Sequence, residues 1–290
     1  MTPATAAALR CPVCGGPLLL NARTLRCPKA HSFDLAREGY AYLLPMQKKH
    51  TADPGDGKAM VRARRAFLSA GHYAPLMATL AALCAALPHD HIVDAGCGEG
   101  SYDKYLYDAL GCPQIAAFDL SKEAVRLASK LVPDAAFCVG GSFCAPVRDG
   151  WADLLLNIFS PMAEAEFARM LRPGGHLYLS EPVYAGPLNE ITRLYNDEGA
   201  VRAAAQAAVD RALAAPGSPW QQVAERRFEM PVQFSDFAEF DRRMMRPTFA
   251  DHHIDDALQA RVAAAFAPHC TAEGARFVRP MHVRLLQRQR

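Results

Sequence analysis

The sequence predicts an α/β protein, a mostly parallel sheet with helices on both faces, preceded by a small N-terminal zinc-binding module. Three observations predict it. From His91 onward, short apolar runs alternate with helical stretches. A glycine loop joins the first of these runs to the first helix. The N-terminal residues carry a Cys-x-x-Cys pair followed by a Cys/His pair. Strand–helix alternation is the pattern of βαβ units, which bury a parallel sheet between helices. The chain has 290 residues, of which 51% are hydrophobic and 21% charged, with a formal net charge of +2. That is enough apolar material for a large core. The charge balance carries no nucleic-acid signal of its own, so any basic surface must be local. No apolar run reaches bilayer length, which speaks against a membrane partner. The first ten residues lack a charged start followed by an apolar stretch, so no signal peptide is expected. Nine cysteines are an odd count, and they suit a reducing cytoplasm better than a disulfide framework.

Residues 1–34 are read as the zinc-binding module. Cys11-Pro-Val-Cys14 is followed by Cys27, which is separated from His31 by three residues. Two such knuckles on a short hairpin supply the S₃N donors of a tetrahedral zinc site, Cys11, Cys14, Cys27 and His31. The segment has almost no core of its own, so metal binding would supply its folding energy. A redox Cys-x-x-Cys fits less well, because such a motif opens a helix, and Pro12 and Gly15-Gly16 oppose one here. With all four positions filled by protein, no site is open for a catalytic water.

Residues 35–88 are read as a linker and helices. The linker holds Pro45 and the turn Asp53-Pro-Gly-Asp56, and helical patterns follow over 58–70 and 74–87. Asp56 is placed to cap the first helix. Residues 89–290 form the main domain. Strands are expected at 92–93, 115–118, 135–139, 154–158 and 177–179. Beyond them come an Ala-rich helix over 200–215, a strand over 222–234, further helices, and a last strand over 276–286.

The loop Asp94-Ala-Gly96-Cys-Gly98-Glu99-Gly100 ends a buried strand and opens a helix. Glycines there let the backbone turn sharply and approach a ligand closely. A nicotinamide dinucleotide fingerprint has different spacing and no acid just before its first glycine. Asp94 is instead placed to organise the loop and the cationic amino end of a methionine moiety. Asp119 ends the next strand, where an acid accepts hydrogen bonds from ribose hydroxyls. Gly140-Gly141-Ser142 follows the third strand, at the place of an adenine base or simply of a turn. Leu171-Arg-Pro-Gly-Gly175 reads as a structural turn.

On these residues the chain resembles the bacterial 23S rRNA guanine-N1 methyltransferases along nearly its whole length. Cys11-Pro-x-Cys14, Cys27-Pro-x-x-His31, Phe33-Asp34, Glu38-Gly-Tyr40 and Leu43-Leu-Pro45 look like that family's zinc module and its exit. Asp53-Pro-Gly-Asp56, Ala63-Arg-Arg-Ala-Phe-Leu68 and Gly71-His-Tyr73 look like its linker helix. The resemblance implies a Rossmann-like S-adenosylmethionine-dependent methyltransferase fold with a mostly parallel seven-stranded sheet. It implies S-adenosylmethionine and zinc as cofactors, 23S rRNA as substrate, and a homodimer whose zinc modules help form the RNA cleft. It places Tyr73 against the cofactor, beside Gly98 and Glu99. One departure stands out: where the family carries a His-Leu pair after the fifth strand, this chain has Gly186-Pro-Leu188.

Methylation at guanine N1 needs N1 and the methyl held in line, loss of the N1 proton, and a base reachable outside a duplex. Asn157 and Phe159, in Asn157-Ile-Phe-Ser-Pro161, are candidates to hydrogen-bond the base and to stack on it, though Phe159 also suits a core position. Glu181 and His252-His253 are weaker candidates for a general base. Lys48-Lys-His50, Arg62, Arg64, Arg65 and the tail 284–290 are the local basic clusters for phosphate contact. Two other readings fit the residues: methylation of a small molecule or protein with the zinc module as scaffold, or an rRNA-binding homologue with altered catalysis.

Overall fold

A computed structural model describes residues 1–45, 54–183, 185–195, 199–245 and 254–289. The chain opens with a single helical turn, α1 (Pro3–Ala6), capped by Thr2, whose hydroxyl accepts from the Thr5 N–H at 3.2 Å. The Thr5 hydroxyl donates to the Asp134 carbonyl at 2.7 Å, which stitches this turn to the main domain. Strands β1 (Leu19–Asn21), β2 (Thr24–Arg26) and β3 (Ser32–Asp34) then form a small antiparallel sheet. Strand β4 (Ala41–Tyr42) leaves it and joins the edge of the main sheet. Helices α2 (Lys58–Ser69) and α3 (Ala74–Cys84) follow, close to the spans expected. The expected cap differs. Gly57 occupies the N-cap of α2 without a side-chain bond, and the Asp56 carboxylate instead pairs with Arg64 at 2.5 Å. A charged partner about two turns along the helix gives this carboxylate a stronger contact than a backbone N–H.

The apolar runs are the strands of the main sheet. In chain order come β5 (His91–Ala95), α4 (Ser101–Ala109), β6 (Gln114–Asp119), α5 (Lys122–Leu131), β7 (Ala136–Val139), β8 (Ala152–Ile158), α6 (Glu164–Met170) and β9 (Leu171–Pro182). Beyond them lie α7 (Pro187–Arg193), α8 (Gly199–Ala214), β10 (Trp220–Phe234), α9 (Phe237–Phe240), α10 (Asp256–Phe266), β11 (Cys270–Thr271) and β12 (Gly274–Arg288). The sheet order is β10-β12-β9-β8-β5-β6-β7-β4, with β11 paired to β12. Strands β4 to β9 run parallel, and β12 and β10 return antiparallel. Seven strands match the expected core. The two further ones, β4 and β11, have two residues each, too few for a period to show in the sequence. Every residue of β8 is buried, as a central parallel strand covered on both faces must be. The segment read as a turn before the fifth strand lies within β9, with Gly174 at φ +77°.

Helix α5 shows how local chemistry sets the layers. Ser121 caps it by accepting from the Ala124 N–H at 3.3 Å, Glu123 lies in its first turn and Lys130 in its last. Ala124, Val125 and Ala128 on one face are buried in the main core. From β5 the chain winds outward to β6 and β7, then returns to lay β8 on the other side of β5. That reversal leaves a crevice at the C-terminal strand ends, where open α/β sheets bind ligands. Among the described residues no single helix is long and apolar enough to cross a membrane.

Candidate functional site

The zinc ligands converge. Cys11, Cys14, Cys27 and His31 place one donor atom each within 4.8 Å of the others. Cys14 Sγ lies 3.6 Å from Cys27 Sγ, and His31 Nδ1 lies 3.3 Å from Cys27 Sγ and 3.6 Å from Cys11 Sγ. Zinc bonds of about 2.0–2.3 Å at tetrahedral angles give ligand–ligand edges of about 3.5–3.8 Å, so the four donors fit one zinc ion. Both knuckles close on themselves. Gly15 donates to the Cys11 carbonyl at 2.8 Å and Ala30 to that of Cys27 at 2.9 Å. Each of these two residues has positive φ, +72° and +64°. At Cys27 burial raises the thiol pKa, but hydrogen bonds led by the His31 backbone outweigh it and bring the thiol to about 7, toward the thiolate that metal requires.

The second centre is a cavity of about 530 Å³ at the crevice, a size typical of small-ligand sites. The glycine loop forms its floor. Gly96 has φ +91°, and a Cβ there would meet Ser160 Oγ at 2.3 Å, so no other residue fits without displacement. Gly98 donates to Asp119 Oδ2 at 3.0 Å, and Ser121 donates to Oδ1 at 2.7 Å, which fixes the Asp119 carboxylate at the end of β6. Asp94, Glu99, Gly140, Gly141, Ser142 and Phe159 also line the cavity. Gly100 does not: at φ +87° it opens α4, and its missing side chain admits Ala128 of α5, 2.7 Å from where a Cβ would stand.

Other expected residues are placed differently. Tyr73 lines an adjacent cavity of about 170 Å³ instead of the glycine loop, and its hydroxyl accepts from Arg279. Asn157 is buried and turned into the protein, where its Nδ2 donates to the Pro161 carbonyl at 3.1 Å and braces the turn after β8. It is not among the residues that line either cavity. Phe159 has φ +58° and lines both cavities. Gly186 has φ +83°, a conformation that disfavours the histidine seen in the resembling family. Glu181 lies in β9 and lines neither cavity. The tail from Arg284 to Arg288 belongs to β12, with Arg284 buried and paired to Asp210 at 2.6 Å. Lys48, Lys49, His50, His252, His253 and Arg290 lie outside the described residues.

The sequence reading missed three neighbours of the site: Asp103, Tyr102 and the Gly55–Asp56–Arg64 rim. The rim arrives because Gly55 packs against the backbone of Ser121, 2.5 Å from where its Cβ would stand. Asp103 carries a weak signal, an acid in the first turn of α4 after a glycine loop.

The electrostatics of the cavity are one-sided. Asp94 and Glu99 are buried, and Asp94 Oδ1 and both Glu99 carboxylate oxygens have no hydrogen-bond partner. Arg65 reaches Glu99 only at 4.0 Å. Burial, with the charges of Asp103 and Asp119, pushes Asp94 well above the usual carboxylate range. Burial and the Glu99 charge push Asp103 up to about 7. Buried acceptors without donors in an acid-rich pocket suit a cationic ligand, and S-adenosylmethionine carries a sulfonium and an ammonium. The pH consequence has a definite sign. A carboxyl whose folded pKa is raised binds more protons folded than unfolded, so its contribution to stability falls as pH rises between the two values. Without cofactor, the resistance of the protein to urea should therefore decline from about pH 4 to about pH 7, the window of Asp103. Asp103→Asn should flatten that decline. Equal slopes for the two proteins would refute the proton held at this cluster.

Comparison with known proteins agrees with both centres. A zinc-ribbon family model described as "RlmA, N-terminal" matches residues 9–52, and one described as "Methyltransferase domain" matches residues 93–179. The 23S rRNA (guanine(748)-N(1))-methyltransferase of Streptomyces fradiae is 42% identical over 180 residues, 60% of this chain and 63% of that protein. A Micromonospora griseorubida protein, provisionally named a 23S rRNA (guanine-N(1)-)-methyltransferase, is 38% identical over 207 residues, 64% of this chain and 69% of that protein. The aligned part thus spans just under two thirds of the Streptomyces enzyme and just over two thirds of the Micromonospora protein. Among solved structures, a provisionally named methyltransferase from Bacillus halodurans superposes with a TM-score of 0.51 at 13% identity, over 73% of this chain and 98% of that one. It shares the fold. Methyltransferase domain, zinc ribbon and sequence relatives converge, and the chain belongs to the 23S rRNA (guanine-N1)-methyltransferase family.

Proposed function

We propose that the protein methylates N1 of a guanine in a hairpin loop of 23S rRNA. The family match across both the ribbon and the methyltransferase domain carries this reading. S-adenosylmethionine supplies the methyl group as an electrophile activated by its sulfonium. Asp119 takes the ribose hydroxyls. Asp94 and Glu99, whose carboxylate oxygens lack hydrogen-bond donors, face the cationic methionine end. The backbone at Gly96 and Gly98 lets the ligand approach, and Ser142 with Gly140 and Gly141 borders the adenine. The zinc ribbon, residues 1–34, is structural and sits beside the RNA path. Residues 35–88 link it to the cofactor domain, 89–290.

The protein works as a homodimer in the cytoplasm, where its substrate is assembled. RNA is held by salt-sensitive phosphate contacts. Arg62 is the more exposed of the two arginines on that face of α2, and it also lies 3.7 Å from Glu123. Arg65 instead faces Glu99. Replacing both would therefore disturb the cofactor loop as well as RNA binding.

Incubating the protein with S-adenosylmethionine and a 23S rRNA fragment should produce N1-methylguanosine in the nucleoside mass spectrum. It should also stop reverse transcriptase at one position, because N1 methylation blocks pairing. A methyl found on another atom, or none on RNA with one on a small molecule, overturns the reading.

A further inference from the structure

The acids around the glycine loop are not equally supplied with donors. Asp119 takes N–H groups from Gly98 and Ser121. Asp103 stands in the first turn of α4, on the buried face that also carries Tyr102 and Leu106, and it is fully buried. Neither of its carboxylate oxygens, nor Asp94 Oδ1, takes a donor from any other described residue. Asp94 and Asp103 lie within hydrogen-bonding reach of each other. Asp94 lines the cofactor cavity, and Asp103 stands behind it. Two buried carboxylates at that range cannot both be charged, and one proton between them makes each the partner of the other.

The elements packed around the pair bring no cation that would replace that proton. Glu99 and Asp119 add negative charge, and burial keeps the Cys97 thiol and the Tyr102 phenol neutral. On α2, Arg62 lies 3.7 Å from Glu123, Arg64 is bound to Asp56, and Arg65 lies 4.0 Å from Glu99. On α5, Arg126 is bound to Glu123, and Lys122 and Lys130 are exposed. On α4 itself, Lys104 is bound to Asp108 on the outer side, and α3 carries no titratable group but Cys84.

We infer that Asp103 is a positioning residue that acts through Asp94: the two share one proton in the free protein, and the cationic methionine end of S-adenosylmethionine displaces it on binding. The inference rests on the placement of that end at Asp94 and Glu99 given above, and is independent of the base methylated. On binding, the carboxyl O–H bond breaks, its electron pair stays on oxygen and the proton passes to water. Two carboxylates remain, facing a ligand cation that now compensates them. In the empty pocket the proton spares the protein an uncompensated buried charge. An uncharged nucleoside brings no compensating cation, so the proton stays. The pair thereby favours the cationic cofactor over neutral adenine nucleosides. Burial and the Glu99 charge hold the Asp103 carboxyl at about 7. Below that pH binding releases a proton, and cofactor affinity rises with pH. Above it affinity is level.

The test is titration calorimetry from pH 5.5 to pH 7.0, in two buffers of different ionisation enthalpy at each pH. The ligands are S-adenosylmethionine and 5′-methylthioadenosine, which has neither sulfonium nor ammonium. With wild type, S-adenosylmethionine should release close to one proton at pH 5.5 and gain about tenfold in affinity by pH 7.0. 5′-Methylthioadenosine should release none, and its affinity should not move with pH. Asp103→Asn offers Asp94 an amide N–H in place of the shared proton. It should bind S-adenosylmethionine without proton release, level across the range and tighter than wild type at pH 5.5. Equal proton release from wild type and Asp103→Asn, or from both ligands, overturns the role of the pair while leaving the cofactor site in place. A wild type that binds no S-adenosylmethionine overturns both. Should Asp103→Asn not fold, infrared difference spectroscopy of the wild type decides. The carbonyl stretch of a protonated carboxyl should be present in the free protein and lost when S-adenosylmethionine is added, and a stretch that is absent or unchanged overturns the inference.

Discussion

Replacing Cys27 with serine should abolish zinc binding and release the N-terminal ribbon, leaving the cofactor domain folded. Elemental analysis should give one zinc per wild-type chain and none in the variant. Zinc binding by a site of this type is worth about 10–16 kcal/mol in isolated peptides. Without metal, the ribbon keeps three strands of three residues each, which do not make an independent fold. It is not wholly dependent on zinc. Leu9, Leu18 and Leu25 are fully buried in a cluster shared with the main sheet, and Leu9 bridges to Val147. Expected damage is therefore confined to residues 11–35: new protease cleavage there, a fall in Tm of the first transition, and cofactor affinity largely retained. A variant that still binds one zinc, or a wild type that binds none, removes the site. Global unfolding would instead mean that β4, carried by the ribbon to the sheet edge beside β7, is needed to close the main core.

How much was legible in the sequence follows from how local each signal is. Metal ligands four or fewer residues apart are set by one turn of backbone, so both knuckles could be read directly. The glycine loop and Asp119 were legible for the same reason: each sits at a strand end whose position the apolar runs fix. What escaped is made by contacts distant along the chain. Gly55 meets Ser121, Tyr73 meets Arg279, and the second cavity takes its walls from α2, α4, β12 and the turn after β8. No spacing rule reports these meetings. Asn157 is a different case: its place at the end of β8 suggested contact with substrate, and in the fold its Nδ2 donates to the Pro161 carbonyl, a local contact that its position in the strand does not announce. The outer strands β4 and β11 were invisible because two residues carry no period.

Asp119→Ala should weaken S-adenosylmethionine binding by about 1.5–3 kcal/mol, roughly ten- to hundredfold, because it removes a charged acceptor from two ribose hydroxyls. The geometry adds a second effect of the same sign. The carboxylate also holds the glycine loop through the Gly98 N–H and starts the approach to α5 through the Ser121 N–H. Truncation leaves both donors unpaired in a buried place, so part of the loss is disorder in the loop. Asp119→Asn separates the two effects. It keeps one carbonyl oxygen for one N–H and one hydroxyl and removes the charge, so its loss should be smaller than that of alanine. Titration calorimetry with S-adenosylmethionine and with adenosine distinguishes the roles further. If Asp119 acts on the ribose, both ligands weaken by the same factor. If it acts only by bracing Gly98 near the methionine end, adenosine affinity stays unchanged while S-adenosylmethionine affinity falls. Unchanged affinity for both ligands in Asp119→Ala would remove this residue from the cofactor site altogether.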